Sequence, residues 1–130
     1  MPSYVGLDAS KRLTSICVLN PRGEVLRETQ VASTPKAIVG SLRGGGLRYA
    51  LVGIEAGFVS EWMYEGLRRA GLPVVCIEAR HAHGVLKARA NKTDRSDAHG
   101  IADLMRTGTY QAVHVKSPES QRFRALITAR

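Results

Sequence analysis

The segment NKTDRSDAHGIADLMRTG, residues 91–108, places Asp94, Asp97 and Asp103 within ten positions of a basic chain. Its apolar spacing is typical of an amphipathic helix from about Asp94 to Thr107. At about 100° per residue, Asp94 and Asp97 share the apolar stripe, while Asp103 lies on the solvent side. The two inward aspartates can therefore be aimed at a ligand. The alternative is that they only cap the helix and complement its dipole.

Two further acids end apolar runs, Asp8 after YVGL and Glu55 after LVGI. Both runs are typical of buried strands, and ligands of α/β sheets bind beside strand ends. We therefore expect Asp8, Glu55, Asp94 and Asp97 to converge. Glu78, which ends the run VVCI, is a possible fifth acid or a substitute for Glu55.

Carboxylates that converge repel one another unless a cation lies between them. Ligand sets made only of oxygen suit Mg²⁺ or Mn²⁺. Two such ions, about 3.5–4 Å apart, can activate an attacking oxygen and stabilise the leaving oxygen of a phosphodiester. The four acids thus predict a catalytic site that binds two divalent ions.

The charge balance favours a polyanionic partner. The 130 residues carry 19 Lys and Arg against 11 Asp and Glu, a formal charge of +8, which attracts phosphate polymers. Residues 80–95 form a basic run directly before the inward aspartates, although such runs are often only solvated helix faces. The candidate nucleic-acid contacts are Lys11, Arg80, Lys87, Arg89, Lys92 and Arg95.

Local patterns predict the elements that must position these side chains. SYVGLDAS, LTSICVLN and EVLRETQV read as three strands joined by hairpins, with NPRG as a turn. A helix from Thr34 to Arg43 follows, capped by Ser33 or Thr34, then strand YALVGIE, helix SEWMYEGLRRAG, strand LPVVCIE and the aspartate helix. This order predicts an α/β fold with a mixed sheet and helices on both faces, as in ribonuclease H-like proteins.

Smaller features exclude other classes of protein. Cys17 and Cys76 sit inside apolar runs and are expected to be buried free thiols. Trp62, Tyr64 and Phe58 are expected to pack in the core rather than to stack on bases. The longest apolar runs are too short to cross a bilayer, which favours a cytoplasmic protein without a membrane partner.

The blocks VGLDASK, GIEAG and NKTDRSDAHGIADLMRTG, followed by VHVKSPESQRFRALITAR, resemble the DEDD transposases of insertion sequences, relatives of the Piv DNA invertases. The KTDRSDA block is the most specific part, and the resemblance covers essentially the whole chain. It implies a RuvC-like, ribonuclease H-like domain whose four acids bind divalent metal, here Asp8, Glu55, Asp94 and Asp97. The family more usually has Arg where this chain has His99.

The resemblance implies a metal-dependent transposase or recombinase that acts on DNA in transposition. It also implies a homo-oligomer in the full-length protein and, in some members, a structured guide RNA. We expect residues 1–112 to form the RuvC-like catalytic domain. Residues 113–130 are expected to begin a connecting helix toward a second domain, with a nucleophilic serine, that this chain lacks.

Three alternatives stay open at this point. The same fold serves Holliday-junction resolvases and other structure-selective nucleases. A nucleic-acid-binding module would use the basic run and keep the acids only for structure. An actin-like or sugar-kinase-like phosphotransferase also begins with a strand like VGLDAS, but it needs a glycine-rich phosphate loop where this chain has Ala9, Ser10 and Lys11.

Overall fold

A computed structural model describes residues 2–44, 46–56, 60–78 and 97–113. The described elements follow the predicted order. They are β1 (Ser3–Ala9), β2 (Leu13–Leu19), β3 (Val25–Ala32), α1 (Pro35–Arg43), β4 (Tyr49–Glu55), α2 (Ser60–Arg69), β5 (Val74–Ile77) and α3 (Asp97–Thr107). The predicted start of the last helix at Asp94 lies outside the described residues.

The five strands form one mixed sheet in the order β3-β2-β1-β4-β5. β1 pairs antiparallel with β2 and β2 with β3, whereas β4 is parallel to both β1 and β5. The predicted NPRG turn joins β2 to β3, where Asn20 Oδ1 accepts hydrogen bonds of 2.9 Å from the N–H groups of Arg22 and Glu24. Gly23 there has a φ of 88°, a left-handed conformation that favours glycine.

The sheet has two covered faces because successive strand residues point in opposite directions. On one face, α1 and α2 pack over a core that includes Val5, Leu7, Ile38 and Met63. On the other face α3 packs over β1, β2 and β4. The α/β fold with helices on both faces is confirmed.

The start of α1 follows local capping rules. Thr34 is the N-cap, and its Oγ1 accepts a hydrogen bond of 3.1 Å from the N–H of Ala37. Pro35 occupies the first helical position, where its missing N–H costs nothing. Of the two predicted caps, the structure therefore selects Thr34, and Ser33 has a different set of partners.

Two expectations about single side chains have different outcomes. Cys17 and Cys76 are buried free thiols, as predicted, and burial raises the pKa of Cys76. The prediction that Trp62 packs in the core is wrong, because 56% of this residue is exposed. Met63 and Leu67 form the buried stripe of α2, and Trp62 is rotated about 100° from Met63. Tyr64 packs, half-buried, against the core, and Phe58 lies outside the described residues.

Within the described ranges, no helix is both long enough and apolar enough to span a membrane.

Candidate active site

Asp8 and Glu55 lie at the ends of neighbouring parallel strands. Leu7 of β1 is in register with Ile54 of β4, and the two acids are the next residues along each strand. Leu7 and Ile54 are buried, whereas Asp8 and Glu55 are half-buried. The two carboxylates therefore stand side by side at the rim of the core on rigid elements.

Two glycines show which face of the sheet these acids share. A side chain at Gly6 would collide with the backbone carbonyl oxygen of Ala98 and the backbone nitrogen of Ala102. At Gly53 it would come within 2.8 Å of the sulfur of Met105. Both glycine positions thus face α3. Since residues two apart on a strand share a face, Asp8 and Glu55 also project on the side of α3.

The direction of α3 follows from its other end. The Cβ position of Gly23 lies 3.2 Å from the Arg106 guanidinium carbon. Gly23 belongs to the β2–β3 turn, beside the start of β1. A helix of 11 residues spans about 16 Å, so Asp97, at its start, lies toward the opposite edge. We call this edge, with Asp8, Glu55 and Asp97, the acidic edge.

Asp97 belongs to the apolar stripe by spacing but is exposed. Ile101 and Leu104, four and seven residues further on, are buried, which confirms the predicted helix face from the second turn onward. Asp103 lies outside the buried stripe of α3, as predicted, and forms an ion pair of 2.6 Å with Arg106. Both side chains of that pair are only about a quarter exposed, at 23% and 28%, rather than fully solvated.

Glu78 occupies a different position from Glu55. The register partner of Glu55 is Ile77, and Ile77 packs with the residues of α3. Glu78 is the next residue, so strand alternation turns it toward the other face. Its backbone N–H donates a hydrogen bond of 2.9 Å to the carbonyl of Gln111. The sheet register therefore favours Glu55 over Glu78 as a member of the acidic edge.

The chain is similar to known transposases in sequence and to RuvC in fold. The model of the IS110 family of DEDD proteins, described as transposase, matches residues 5–130. The chain belongs to this transposase family. A transposase for the insertion sequence element IS1111A from Coxiella burnetii is 28% identical over 131 residues, covering 97% of this chain and 33% of the relative. The chain thus spans about a third of the length of that relative.

The fold of this transposase-family chain is RuvC-like. It is similar to Thermus thermophilus RuvC in complex with a Holliday junction substrate, with a TM-score of 0.57 and 16% identity over 87% of this chain and all of that one. A second Thermus thermophilus RuvC structure gives a TM-score of 0.55 and 16% identity, with 84% and 98% of the two chains covered. At this identity the likeness concerns the fold. Membership in the transposase family argues against the phosphotransferase alternative.

The donor set at the acidic edge suits a hard divalent cation. Asp8 and Glu55 offer carboxylate oxygens from two adjacent strands, which is the ligand type that Mg²⁺ and Mn²⁺ prefer. Among the residues that the structure describes, no three His, Cys, Asp or Glu side chains group closely enough to hold a metal ion. Asp8, Glu55 and Asp97 therefore do not form such a group by themselves. Asp94, the fourth predicted acid, lies outside the described residues, so convergence of all four stays a prediction.

Of the six predicted nucleic-acid contacts, one lies among the described residues. Lys11 is exposed in the β1–β2 loop, three residues beyond Asp8 and at the acidic edge. The other five, Arg80, Lys87, Arg89, Lys92 and Arg95, lie outside the described residues. Arg12 and Ser33 were not among the predicted contacts. Arg12 follows Lys11 in the β1–β2 loop, and Ser33, directly after β3, donates hydrogen bonds to the carbonyls of Ser10 and Arg12. The sequence signal for Arg12 was its place beside Lys11 after a strand-end acid, whereas no local pattern marks the contacts of Ser33.

Proposed function

We propose that this chain is the divalent-metal-dependent catalytic domain of a DEDD transposase, which acts on DNA phosphodiesters in transposition. One observation carries the proposal. Asp8 and Glu55 follow a register pair on adjacent parallel strands and face the helix that begins with Asp97. Neighbouring carboxylates repel one another unless a cation lies between them. Strand ends of this kind are also where ligands of α/β sheets bind.

The proposed roles of the side chains follow from their chemistry. Asp8, Glu55, Asp94 and Asp97 would hold two Mg²⁺ or Mn²⁺ ions. When bound, such ions supply activation of the attacking oxygen and stabilisation of the leaving oxygen. The strands keep the carboxylates of Asp8 and Glu55 in fixed positions, which limits reorganisation during the reaction. The proposed contacts to the DNA backbone are Lys11 and the basic side chains of residues 80–95.

DNA is the proposed substrate because a chain with a formal charge of +8 attracts phosphate polymers. The structural relative RuvC was solved with a Holliday junction substrate, which supports a branched or duplex DNA substrate for this chain. A structured guide RNA and a homo-oligomer of the full-length protein are further partners that the family resemblance implies. They extend the proposal and do not affect its metal chemistry.

The test uses linear and branched DNA with Mg²⁺ or Mn²⁺, and compares wild type with Asp8→Asn and Glu55→Gln. We expect metal-dependent nicking or strand transfer by wild type that both variants lose while they remain folded in a thermal melt. Unchanged activity in either folded variant would overturn the proposed site. Glu24→Gln is the control, since Glu24 is an exposed carboxylate in the β2–β3 turn at the opposite edge.

A second candidate, a Holliday-junction resolvase-like nuclease, is supported by the RuvC-like fold. It predicts that this chain alone cleaves branched DNA more readily than linear duplex. A non-catalytic binding module instead predicts DNA binding without metal and no cleavage of either substrate.

A further inference from the structure

We propose that the β1–β2 loop, Ser10–Arg12, is a preorganised phosphate-binding loop beside the acidic edge, and that Ser33 is the residue that positions it. The inference rests on the proposed function, because it assigns the DNA backbone as the ligand. Beyond that function, Arg12 joins Lys11 as a phosphate contact, and Ser33 holds the backbone that carries both side chains.

The loop is closed by its own hydrogen bonds. The backbone N–H of Ser10 donates to the carbonyl of Leu13 at 3.0 Å, and the Ser10 hydroxyl donates to the same carbonyl at 2.7 Å. Two donors from one residue on one acceptor hold the ends of the loop together. The entropy cost of ordering the backbone at Lys11 and Arg12 is therefore incurred on folding rather than on binding.

Ser33, which directly follows β3, holds the loop through two hydrogen bonds. Its backbone N–H donates to the carbonyl of Arg12 at 3.0 Å, and its hydroxyl donates to the carbonyl of Ser10 at 2.6 Å. These contacts join residues more than 20 positions apart in the chain. The carbonyl groups of Ser10 and Arg12 in the loop, and of Leu13 at the start of β2, therefore all accept hydrogen bonds.

A buried hydroxyl anchors Ser33 in turn. Thr14 is fully buried, and its Oγ1 lies 2.8 Å from the hydroxyl oxygen of Ser33. A serine hydroxyl has a single hydrogen, and Ser33 donates it to Ser10. Thr14 must therefore be the donor in this contact. The result is a directed chain from Thr14 to Ser33 to the Ser10 carbonyl, which ties the loop to the core.

The loop presents positive charge to solvent. Lys11 and Arg12 are both exposed, and neither takes part in the ion pairs found within the described residues. Because the carbonyls of Ser10, Arg12 and Leu13 already accept hydrogen bonds, they compete less with an incoming phosphate for the donors of the Lys11 and Arg12 side chains. Asp8 lies only three and four residues away. A DNA backbone held by this loop would pass directly beside the carboxylates.

The first measurement is DNA affinity as a function of salt. A labelled duplex is titrated with wild type in the presence of EDTA, so that divalent metal does not contribute, and anisotropy gives Kd at several salt concentrations. Each phosphate contact contributes about 0.9 to the slope of log affinity against log salt. The double variant Lys11→Ala, Arg12→Ala should therefore lower that slope by about 1.8.

The matched control is Arg22→Ala, Arg48→Ala. Both residues are exposed and lie near the start of β1, Arg22 in the β2–β3 turn and Arg48 just before β4. This variant loses the same two charges at the opposite edge. We expect it to change the slope by less than half as much as the loop variant. An equal effect of the two variants would overturn the inference in favour of general charge attraction.

Ser33 is tested in two backgrounds. Ser33→Ala should weaken binding several-fold in wild type but have no further effect when Lys11 and Arg12 are already alanine. Ser33→Thr keeps the hydroxyl and should retain most of the affinity. A purely structural role would instead lower affinity equally in both backgrounds, and that result would overturn the positioning role even if thermal melts show some loss of stability.

The outcomes separate this inference from the proposed function. Asp8→Asn should abolish metal-dependent cleavage and keep the contribution of Lys11 and Arg12 to the salt slope, because Ser10 and Ser33 donate the hydrogen bonds that position the loop. Wild type that fails to bind DNA at all would contradict both proposals. Wild type that binds and cleaves, with a slope unaffected by Lys11→Ala, Arg12→Ala, would contradict only the loop.

Discussion

Asp8 and Glu55 each lie one residue beyond the register pair of Leu7 and Ile54, on the adjacent parallel strands β1 and β4. β1 and β4 are inner strands of the sheet, so backbone hydrogen bonds on both sides hold them. The spacing of the two carboxylates is therefore set by the sheet and not by a loop. Such an arrangement can keep two metal ligands in place before any ion binds.

The first prediction separates Glu55 from Glu78. Glu55→Gln should lower affinity for Mn²⁺ measured by calorimetry, whereas Glu78→Gln should leave it nearly unchanged. Loss of a residue that only orients a metal ligand typically costs about 10–100-fold in affinity, so loss of a direct ligand should cost at least as much. Equal losses in the two variants, or a loss only in Glu78→Gln, would show that the register argument assigns the wrong acid.

The second prediction concerns the close approach of α3 to β1. Gly6→Ala should destabilise the fold by about 1–3 kcal/mol or more, because the new methyl group meets backbone atoms of Ala98 and Ala102 that cannot rotate away. Urea unfolding followed by circular dichroism measures the free energy of unfolding. A change within about 0.5 kcal/mol, the usual range for surface sites, would contradict the close packing.

Gly40→Ala is the matched control for that change. Gly40 lies in α1, and within the part of the chain that the structure describes a Cβ at this position would meet nothing within 4 Å beyond its chain neighbours and the backbone of its own helix. Alanine in a helix interior is favoured over glycine by about 0.5–1 kcal/mol. The same substitution should therefore raise stability in α1 and lower it under α3.

Much of the fold could be predicted because its signals are local. Apolar runs mark β1, β4 and β5, alternation of apolar and polar residues marks β2 and β3, NPRG marks the β2–β3 turn, and Thr34 with Pro35 marks the start of α1. The acids Asp8 and Glu55 were identifiable for the same reason, since each directly follows an apolar run. Local patterns of this kind survive in the structure because tertiary contacts reinforce them.

The remaining features depend on contacts between distant residues. Ser33 meets Thr14 across 19 positions and Ser10 across 23, and no sequence period reports such pairs. Asp97 is placed at the acidic edge by the direction of α3, and that direction is shown by Arg106, which lies beside the turn at Gly23. Trp62 was misassigned because aromatic residues usually bury a large area, whereas the neighbouring Met63 and Leu67 already fill the buried stripe of α2.

The third prediction tests the exposure of Trp62, which is the single tryptophan of the chain. Its fluorescence in the native protein should have a maximum close to that of solvent-exposed tryptophan, and acrylamide should quench it nearly as well as in urea. A blue-shifted and protected native spectrum would contradict the exposed position. Trp62→Ala should change stability by less than about 0.5 kcal/mol, whereas Met63→Ala, at a fully buried position, should cost about 2–5 kcal/mol.

The fourth prediction concerns alkaline pH. Tyr49 donates a hydrogen bond of 2.6 Å from its hydroxyl to the carbonyl of Leu42, at the end of α1. Burial raises the pKa of Tyr49 above its ordinary value of 10.0, and the positive charge of Arg27 opposes this shift. The folded state therefore favours the protonated phenol. Its contribution to stability should be complete below the ordinary pKa and disappear as pH rises through the raised value.

Urea unfolding of wild type and Tyr49→Phe, between about pH 7 and pH 11, measures this contribution. At neutral pH the variant should be less stable by about 1 kcal/mol, the usual net value of one hydrogen bond. Above about pH 10 the difference should shrink, since ionisation removes the hydroxyl hydrogen from wild type as well. Cys76, whose pKa burial also raises, is present in both proteins and cancels in the comparison. A difference that stays constant across this range would show that the hydroxyl of Tyr49 does not titrate as a buried donor to the end of α1.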